Sequence, residues 1–112
     1  MNDIKRAEQE GRKDDLGKVP LHLLPFDALY GISAVLEFGA KKYGDRNWEK
    51  GMAWSRIFRA CISHLFQWFM RYPYDEETKI THLAHAGCCI LFLIAYEHRR
   101  IGTDDRPGLP KA

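Results

Sequence analysis

The stretch from Asp75 to Ala95, DEETKITHLAHAGCCILFLIA, decides the fold class. It opens on three consecutive acidic residues, sets His82 and His85 three residues apart, and then runs almost without polar interruption to Tyr96. Residues three apart share a face of an α-helix. The pattern predicts a helix from about Glu77 to Arg100, with basic residues at its end to suit the dipole and Gly102 to stop it. Two imidazoles, with carboxylates just upstream, then sit at one end of a helix that is apolar on nearly all sides. Groups that bind a divalent cation or take protons are costly to place beside an apolar core. Their pairing here points toward a metal-dependent enzyme.

Upstream the same period recurs. Ala28, Ile32, Val35, Leu36 and Gly39 repeat at helical spacing and predict a helix from about residue 26 to 42. Pro25 and Asp27 suit its first turn. Lys41 to Gly51, KKYGDRNWEKG, reads as a polar loop. Ser55 is the expected N-cap of a second helix, Arg56 to Met70, on which Ile57, Cys61, His64, Leu65 and Trp68 form one stripe. No strand-like alternation is present, so the expected class is all-α. Residues 1–19 read as a polar arm and 103–112 as a mobile tail, on a single domain spanning 1–112.

Composition narrows the function classes. The chain has 112 residues, 17 basic and 15 acidic, for a formal charge of +2. So even a balance argues against nucleic acid or an anionic membrane as the main partner. The longest apolar run, Ala86 to Tyr96, is 11 residues, well short of the roughly 20 that span a bilayer. The polar N-terminus does not read as a signal peptide. Cys88 and Cys89 are adjacent within a predicted helix, so the three cysteines do not make a disulfide framework. The expectation is a reduced, cytoplasmic protein. Three Trp, six Phe and five Tyr are a heavy aromatic load for so small a core. That load predicts self-association into a homo-oligomer.

Each candidate group has a plain structural alternative. His82 and His85 are either a metal or phosphate site or a pair satisfied by core hydrogen bonds. Their spacing lacks the intervening Glu of a HExxH helix, which argues against a zincin. Glu37 edges the apolar face of the first helix, as a site carboxylate or a solvated flank. His64 lies on the stripe of the second helix, as a site residue or a satisfied core histidine. If the helical faces turn inward, Glu37, His64, His82 and His85 converge, as ligands do in helix bundles. Lys41, Lys42 and Arg46, flanked by Tyr43 and Trp48, make a basic aromatic loop. That loop is either a solvated turn or a nucleotide site, with phosphates on the cations and a base on a ring. No Walker-type glycine loop is present, though Lys18 and its neighbouring glycine are able to approach phosphates. Cys88 and Cys89 read as core packing.

RKDDLGKVPLHLLP, VLEFGAKKYGDRNWEKG and DEETKITHLAHA together resemble the phage dATP/dGTP diphosphohydrolases, the MazZ-like proteins, over roughly residues 12 to 95. These are a branch of the all-α MazG-like nucleotide pyrophosphohydrolases. The resemblance implies a MazG-like helical bundle packed as a tetramer. It implies hydrolysis of a deoxynucleoside triphosphate to monophosphate and pyrophosphate with Mg²⁺ or Mn²⁺, more than one ion. In phages that replace adenine by 2-aminoadenine, such an enzyme supplies dGMP and removes dATP. The wider superfamily binds metal through ExxE and ExxD motifs. Here Glu37 is followed three residues later by Ala40, and the last helix carries His82-x-x-His85 instead.

Two ligand sets therefore stay open. In one, His82 and His85 replace carboxylates. In the other, the metals lie on Glu37, Asp75 and Glu77 while the histidines act on phosphate or water. Mg²⁺ prefers oxygen and Mn²⁺ tolerates imidazole better, which favours Mn²⁺. On this reading Glu37, His82 and His85 are catalytic. Lys18, Lys41, Lys42, Arg46, Asn47, Trp48 and His64 hold the nucleotide. The competing classes are a phosphohydrolase releasing orthophosphate, a non-catalytic nucleotide-binding or interaction module, and a small DNA-binding protein, which the charge disfavours.

Overall fold

The computed structural model describes residues 17–108. The polar arm expected over 1–19 lies, up to residue 16, outside the described residues, as does the last part of the expected tail, 109–112. Three α-helices carry the fold: α1 (Phe26–Tyr43), α2 (Trp54–Phe69) and α3 (His82–Arg99). Short 3₁₀ turns at Leu21–Leu23 and Asn47–Lys50 precede α1 and α2. Among the described residues there is no strand. Two isolated bridges, Ala53 with Thr103 and Tyr74 with Thr81, pin loops together. The all-helical class expected from the periodicity is what the structure has.

Helix α3 is the shared partner, packed against both α1 and α2. Its small residues permit close approach. A Cβ on Gly87 would stand 2.9 Å from Cδ1 of Ile32, and one on Gly31 would stand 3.7 Å from Cβ of Ala84. Ala84, Ala86 and Cys88 of α3 are buried, as are Ile57 and Cys61 of α2, and the Cys61 thiol reaches the Ala86 carbonyl between the two helices. Tyr96, fully buried, donates its hydroxyl to the Trp48 carbonyl at 2.6 Å and so ties the 3₁₀ turn to α3.

Three expectations are corrected. Helix α3 begins at His82, not near Glu77, with the Thr81 hydroxyl capping the amide of Leu83. The acidic residues upstream are spent on a turn instead. Asp75 Oδ2 accepts from the amides of Glu77 and Thr78 and from the Thr78 hydroxyl, the local competition that carboxylates offer to helix formation. Lys79 in that turn takes a left-handed φ of 61°. Second, Ser55 is not the N-cap of α2. The helix starts at Trp54, and the Ser55 amide and hydroxyl both donate to Asp105. Third, α3 ends on Arg100 in a left-handed conformation, while Gly102 serves a different purpose. At φ 79° a Cβ on Gly102 would collide with the Met52 carbonyl, so the chain passes there only as glycine.

The segment after α3 runs along the start of α2. Trp54 donates its amide to the Thr103 carbonyl at 2.9 Å and its indole N–H to the Ile101 carbonyl at 2.9 Å. Arg106 lies 5.0 Å from the Trp54 ring. Of the stretch expected to be a tail, Thr103 to Arg106 is thus hydrogen-bonded into the fold.

Candidate active site: an imidazole–carboxylate cluster

The cluster forms where the first turn of α3 meets the last two turns of α2. His82 is the first residue of α3 and is only 2% exposed. Its amide donates to the Pro73 carbonyl at 2.9 Å, which fixes the helix start under the 74–81 loop. His64 comes from the inward stripe of α2 and sets its Nδ1 2.9 Å from Nδ1 of His82. His85 lies one turn beyond His82. Its ring stacks on His64 with centroids 4.5 Å apart and planes 12° off parallel. Nε2 of His85 is 2.7 Å from the Thr78 hydroxyl, which in turn bonds Asp75.

Donor atoms of His64, Asp75 and His82 all lie within 4.8 Å of one another, and among the described residues they form the group of three disposed to hold a metal ion. The Nδ1 pair stands 2.9 Å apart, the distance of a hydrogen bond, and a cation held by both rings would take the place of the shared proton. The turn bonds to the Asp75 side chain all land on Oδ2. Two imidazoles and a carboxylate suit Mn²⁺ or a later first-row ion better than Mg²⁺.

The electrostatics agree with neutral rings beside an ionised acid. Burial first, and then the neighbouring rings of His85 and His82, hold the His64 pKa below its ordinary value, against the pull of Asp75. Burial likewise lowers His85, with Asp75 opposing. Burial would raise Asp75, but the Thr78 hydrogen bonds and the nearby rings outweigh it and hold the carboxyl low. Near neutral pH the His64 and His85 rings are thus held neutral while Asp75 offers charge.

Other residues singled out in the sequence fall into three places. Glu77 and Lys42 face each other, the ammonium 3.3 Å from both carboxylate oxygens, so the end of α1 is bound to the Asp75 loop. That hydrogen bond raises the Lys42 pKa, with Tyr43 adding to it. Glu37, exposed on α1, pairs with Lys41 at 3.6 Å. Glu37 lines a groove of about 930 Å³ with Tyr43, Arg46, Asn47, Trp48 and Arg99. Lys18 is exposed ahead of the first 3₁₀ turn. Glu37, Glu77 and His85, read from sequence as ligands, are therefore outside the three-residue donor group, and His64, read from sequence as a nucleotide contact, is inside it.

Within the groove, Trp48 is engaged by the fold. Its ring stacks on Phe92 at 4.6 Å, and the Arg99 guanidinium lies 5.4 Å from its centroid. Tyr43 is the exposed ring, 61% accessible, at the groove edge. Arg46, with φ 58°, is held to Glu49 at 3.2 Å. Cys88 and Cys89 are protonated packing groups, since burial pushes their thiols up to about 12 and about 11. Sequence reasoning missed Thr78, a residue whose importance comes only from the turn that folds its hydroxyl between Asp75 and His85.

Three packed helices with an imidazole–carboxylate centre at one helix start, and a separate groove carrying cations and an exposed ring, define an all-α protein with a candidate metal centre. Residues 8–106 match the family described as dATP/dGTP diphosphohydrolase, N-terminal, and the chain belongs to that family. A dATP/dGTP diphosphohydrolase of Salmonella phage PMBT28 is 33% identical over 96 residues, which cover 86% of this chain and 33% of that protein. The chain thus spans about a third of the length of the relative that it matches. No solved structure matches. No helix among the described residues is long and apolar enough to cross a membrane.

Proposed function

We propose that this protein hydrolyses dGTP and dATP to the monophosphate and pyrophosphate, using a divalent cation, Mg²⁺ or Mn²⁺. The observation that carries the reading is the convergence of His64, Asp75 and His82 donor atoms within 4.8 Å, in a chain of the dATP/dGTP diphosphohydrolase family. A cation there supplies charge neutralisation for the polyphosphate and an acidified water at neutral pH. Glu37 and Glu77, outside that group, stand as ligands for a second ion.

The chain's own residues do the rest. Lys42, beside the cluster through its bond to Glu77, is placed to exchange that carboxylate for a phosphate oxygen. Lys41, Arg46 and Lys18 add positive charge for the triphosphate, and the groove takes the nucleoside, with Asn47 and Tyr43 at its wall. The water oxygen bonds to the α-phosphorus, the bond from that phosphorus to its β-bridging oxygen breaks, and pyrophosphate leaves with the electron pair. The water proton passes to a neutral imidazole, His85, at the ring nitrogen that Thr78 does not hold. In a phage that uses 2-aminoadenine, the reaction would supply dGMP and deplete dATP in the host cytoplasm.

The test is a screen of the common ribo- and deoxynucleoside triphosphates with Mn²⁺ and with Mg²⁺, measuring monophosphate, pyrophosphate and orthophosphate. Pyrophosphate from dGTP and dATP is expected. Orthophosphate with a diphosphate product would assign a phosphohydrolase. Nucleotide binding without turnover would assign a non-catalytic module.

A further inference from the structure

We propose that Thr78 is a positioning residue for His85, fixing the imidazole as the tautomer with its proton on Nε2 and leaving Nδ1 unprotonated beside the His64–Asp75–His82 centre. The inference rests on the reading of that centre as the reaction site and adds to it a residue and a proton position.

The Thr78 oxygen has one hydrogen to give and two lone pairs to receive with. Three partners surround it. The Ile80 amide, a donor only, lies at 3.2 Å. Oδ2 of Asp75 also lies at 3.2 Å. A carboxylate accepts only, and this oxygen already accepts from the amides of Glu77 and Thr78. The single hydroxyl proton therefore points to Asp75. Nε2 of His85, at 2.7 Å, is the third partner. With the hydroxyl proton already committed, that contact is a hydrogen bond only if His85 brings the hydrogen. This assignment saturates the hydroxyl: one donor used, two acceptors used.

Two further observations make the ring's orientation matter. His85 presents its face to His64 in a near-parallel stack, so the ring that Thr78 holds is also the wall against which His64 is set toward His82. Thr78 is itself held, since its amide donates to Asp75 Oδ2 at 3.0 Å within a turn closed by the Lys79 amide on the Asp75 carbonyl at 2.8 Å. The carboxylate, the hydroxyl and the imidazole thus form one line, Asp75 to Thr78 to His85. Outer hydrogen-bond partners of this kind commonly fix tautomer and orientation at metal centres. A ring nitrogen's proton is otherwise free to sit on either side.

The test compares wild type with Thr78→Val, which keeps the shape and deletes the hydroxyl, and Thr78→Ser, which keeps the hydroxyl. Long-range ¹H–¹⁵N spectra of the metal-free protein read the tautomer, and a His85→Gln variant assigns the His85 signals. Wild type and Thr78→Ser are expected to show His85 protonated at Nε2, with Thr78→Val shifted to a mixture. In turnover with Mn²⁺ and dGTP, Thr78→Val is expected to lose kcat by about 10–100-fold with KM little changed, and Thr78→Ser to recover most of it. A wild-type His85 protonated at Nδ1 would overturn the proposal even if Thr78→Val failed to fold. So would a Thr78→Val protein with unchanged spectrum and full kcat. If wild type hydrolyses no nucleoside triphosphate, the functional reading fails separately, and the spectra alone decide the role of the hydroxyl.

Discussion

Nδ1 of His64 stands 2.9 Å from Nδ1 of His82, one ring carried by α2 and the other by the first residue of α3. The pair closes only when both helices are in place, so it reports on the tertiary fold as well as on chemistry. Two imidazole nitrogens this close share either one proton or one cation. The Asp75 carboxylate within reach of both favours the cation. Turnover is expected to vanish in excess chelator and to return with Mn²⁺ more fully than with Mg²⁺. His64→Ala is expected to lower Mn²⁺ affinity, measured calorimetrically, while leaving the helical signal intact. Full activity after removal of all divalent ions would exclude the reading.

Glu37 tests a second ligand position. It lies on the groove wall, outside the histidine group, with Lys41 at 3.6 Å across one turn of α1. Glu37→Gln keeps size and helix propensity and removes one charge. The expected result is loss of turnover by at least about 100-fold, the scale of one general acid–base or charge-stabilising group, with unchanged helicity. An exposed i,i+4 pair contributes about 0.3–0.5 kcal/mol, so a mere solvated flank predicts an almost normal enzyme. A wild-type rate would assign Glu37 to that flank.

The strap from Ile101 to Arg106 gives a pH prediction. Asp105 accepts from the amide and hydroxyl of Ser55, and those bonds hold its carboxyl below the usual range. A group depressed in the folded state contributes stability that is fully present above its unfolded pKa of about 3.9 and is lost as pH falls through the folded value. Asp105→Asn is therefore expected to lower the unfolding temperature at pH 7, and the gap from wild type is expected to close on acidification below about pH 4. Gly102→Ala is a separate check, without titration. It is expected to cost about 1–3 kcal/mol, from the left-handed backbone, and more from the collision with Met52. Thermal melts at several pH values measure both.

The helical class was legible because the apolar residues of α1 and α2 repeat at helical spacing, and both helices fall within one or two residues of that pattern. The start of α3 was not. Asp75, Glu76 and Glu77 look like a dipole-matched first turn, yet Asp75 is bound by Thr78 in a turn that no helical period encodes. Ser55 looked like a cap because its capping chemistry is real. Its partner, Asp105, is 50 residues away, which a local reading does not reach. For the same reason His82 was legible as a candidate ligand from its spacing to His85, while its approach to His64 depended on how α2 and α3 cross.

The helices leave large apolar side chains in solvent. Phe58, Phe66 and Phe69 on α2 and Ile90 and Ile94 on α3 are all exposed. The buried apolar set among the described residues is mostly small: Ala84, Ala86, Cys61 and Cys88 beside Ile57 and Tyr96. Single exposed residues are ordinary, but a run of aromatics along one helix is a surface that self-association covers. The protein is expected to be a homo-oligomer, a tetramer by its resemblance. Light scattering across micromolar concentrations checks it; a mass near 13.0 kDa throughout would mean a monomer. Phe66→Asp, at an exposed side chain of α2, is expected to lower the mass.

Trp48, the ring first expected to stack on a nucleotide, is already stacked on Phe92. Tyr43 takes over that role at the edge of the groove, with Lys42 5.4 Å from its ring centroid. Stacking on one aromatic contributes about 1–3 kcal/mol per base, and a purine offers more ring to cover than a pyrimidine. Asn47, half-buried on the same wall, has both a donor and an acceptor for a base or sugar edge. Deoxypurine nucleotides are therefore expected to be preferred, dGTP first. Tyr43→Ala is expected to raise KM for dGTP by roughly tenfold, the equivalent of losing about 1.4 kcal/mol of stacking, while Trp48→Phe acts mainly on stability. The measurement is kcat/KM for dGTP, dATP, dCTP, dTTP and GTP under one metal. Equal turnover of dCTP or GTP would leave a general nucleotide pyrophosphohydrolase, and an unchanged KM in Tyr43→Ala would place the base elsewhere.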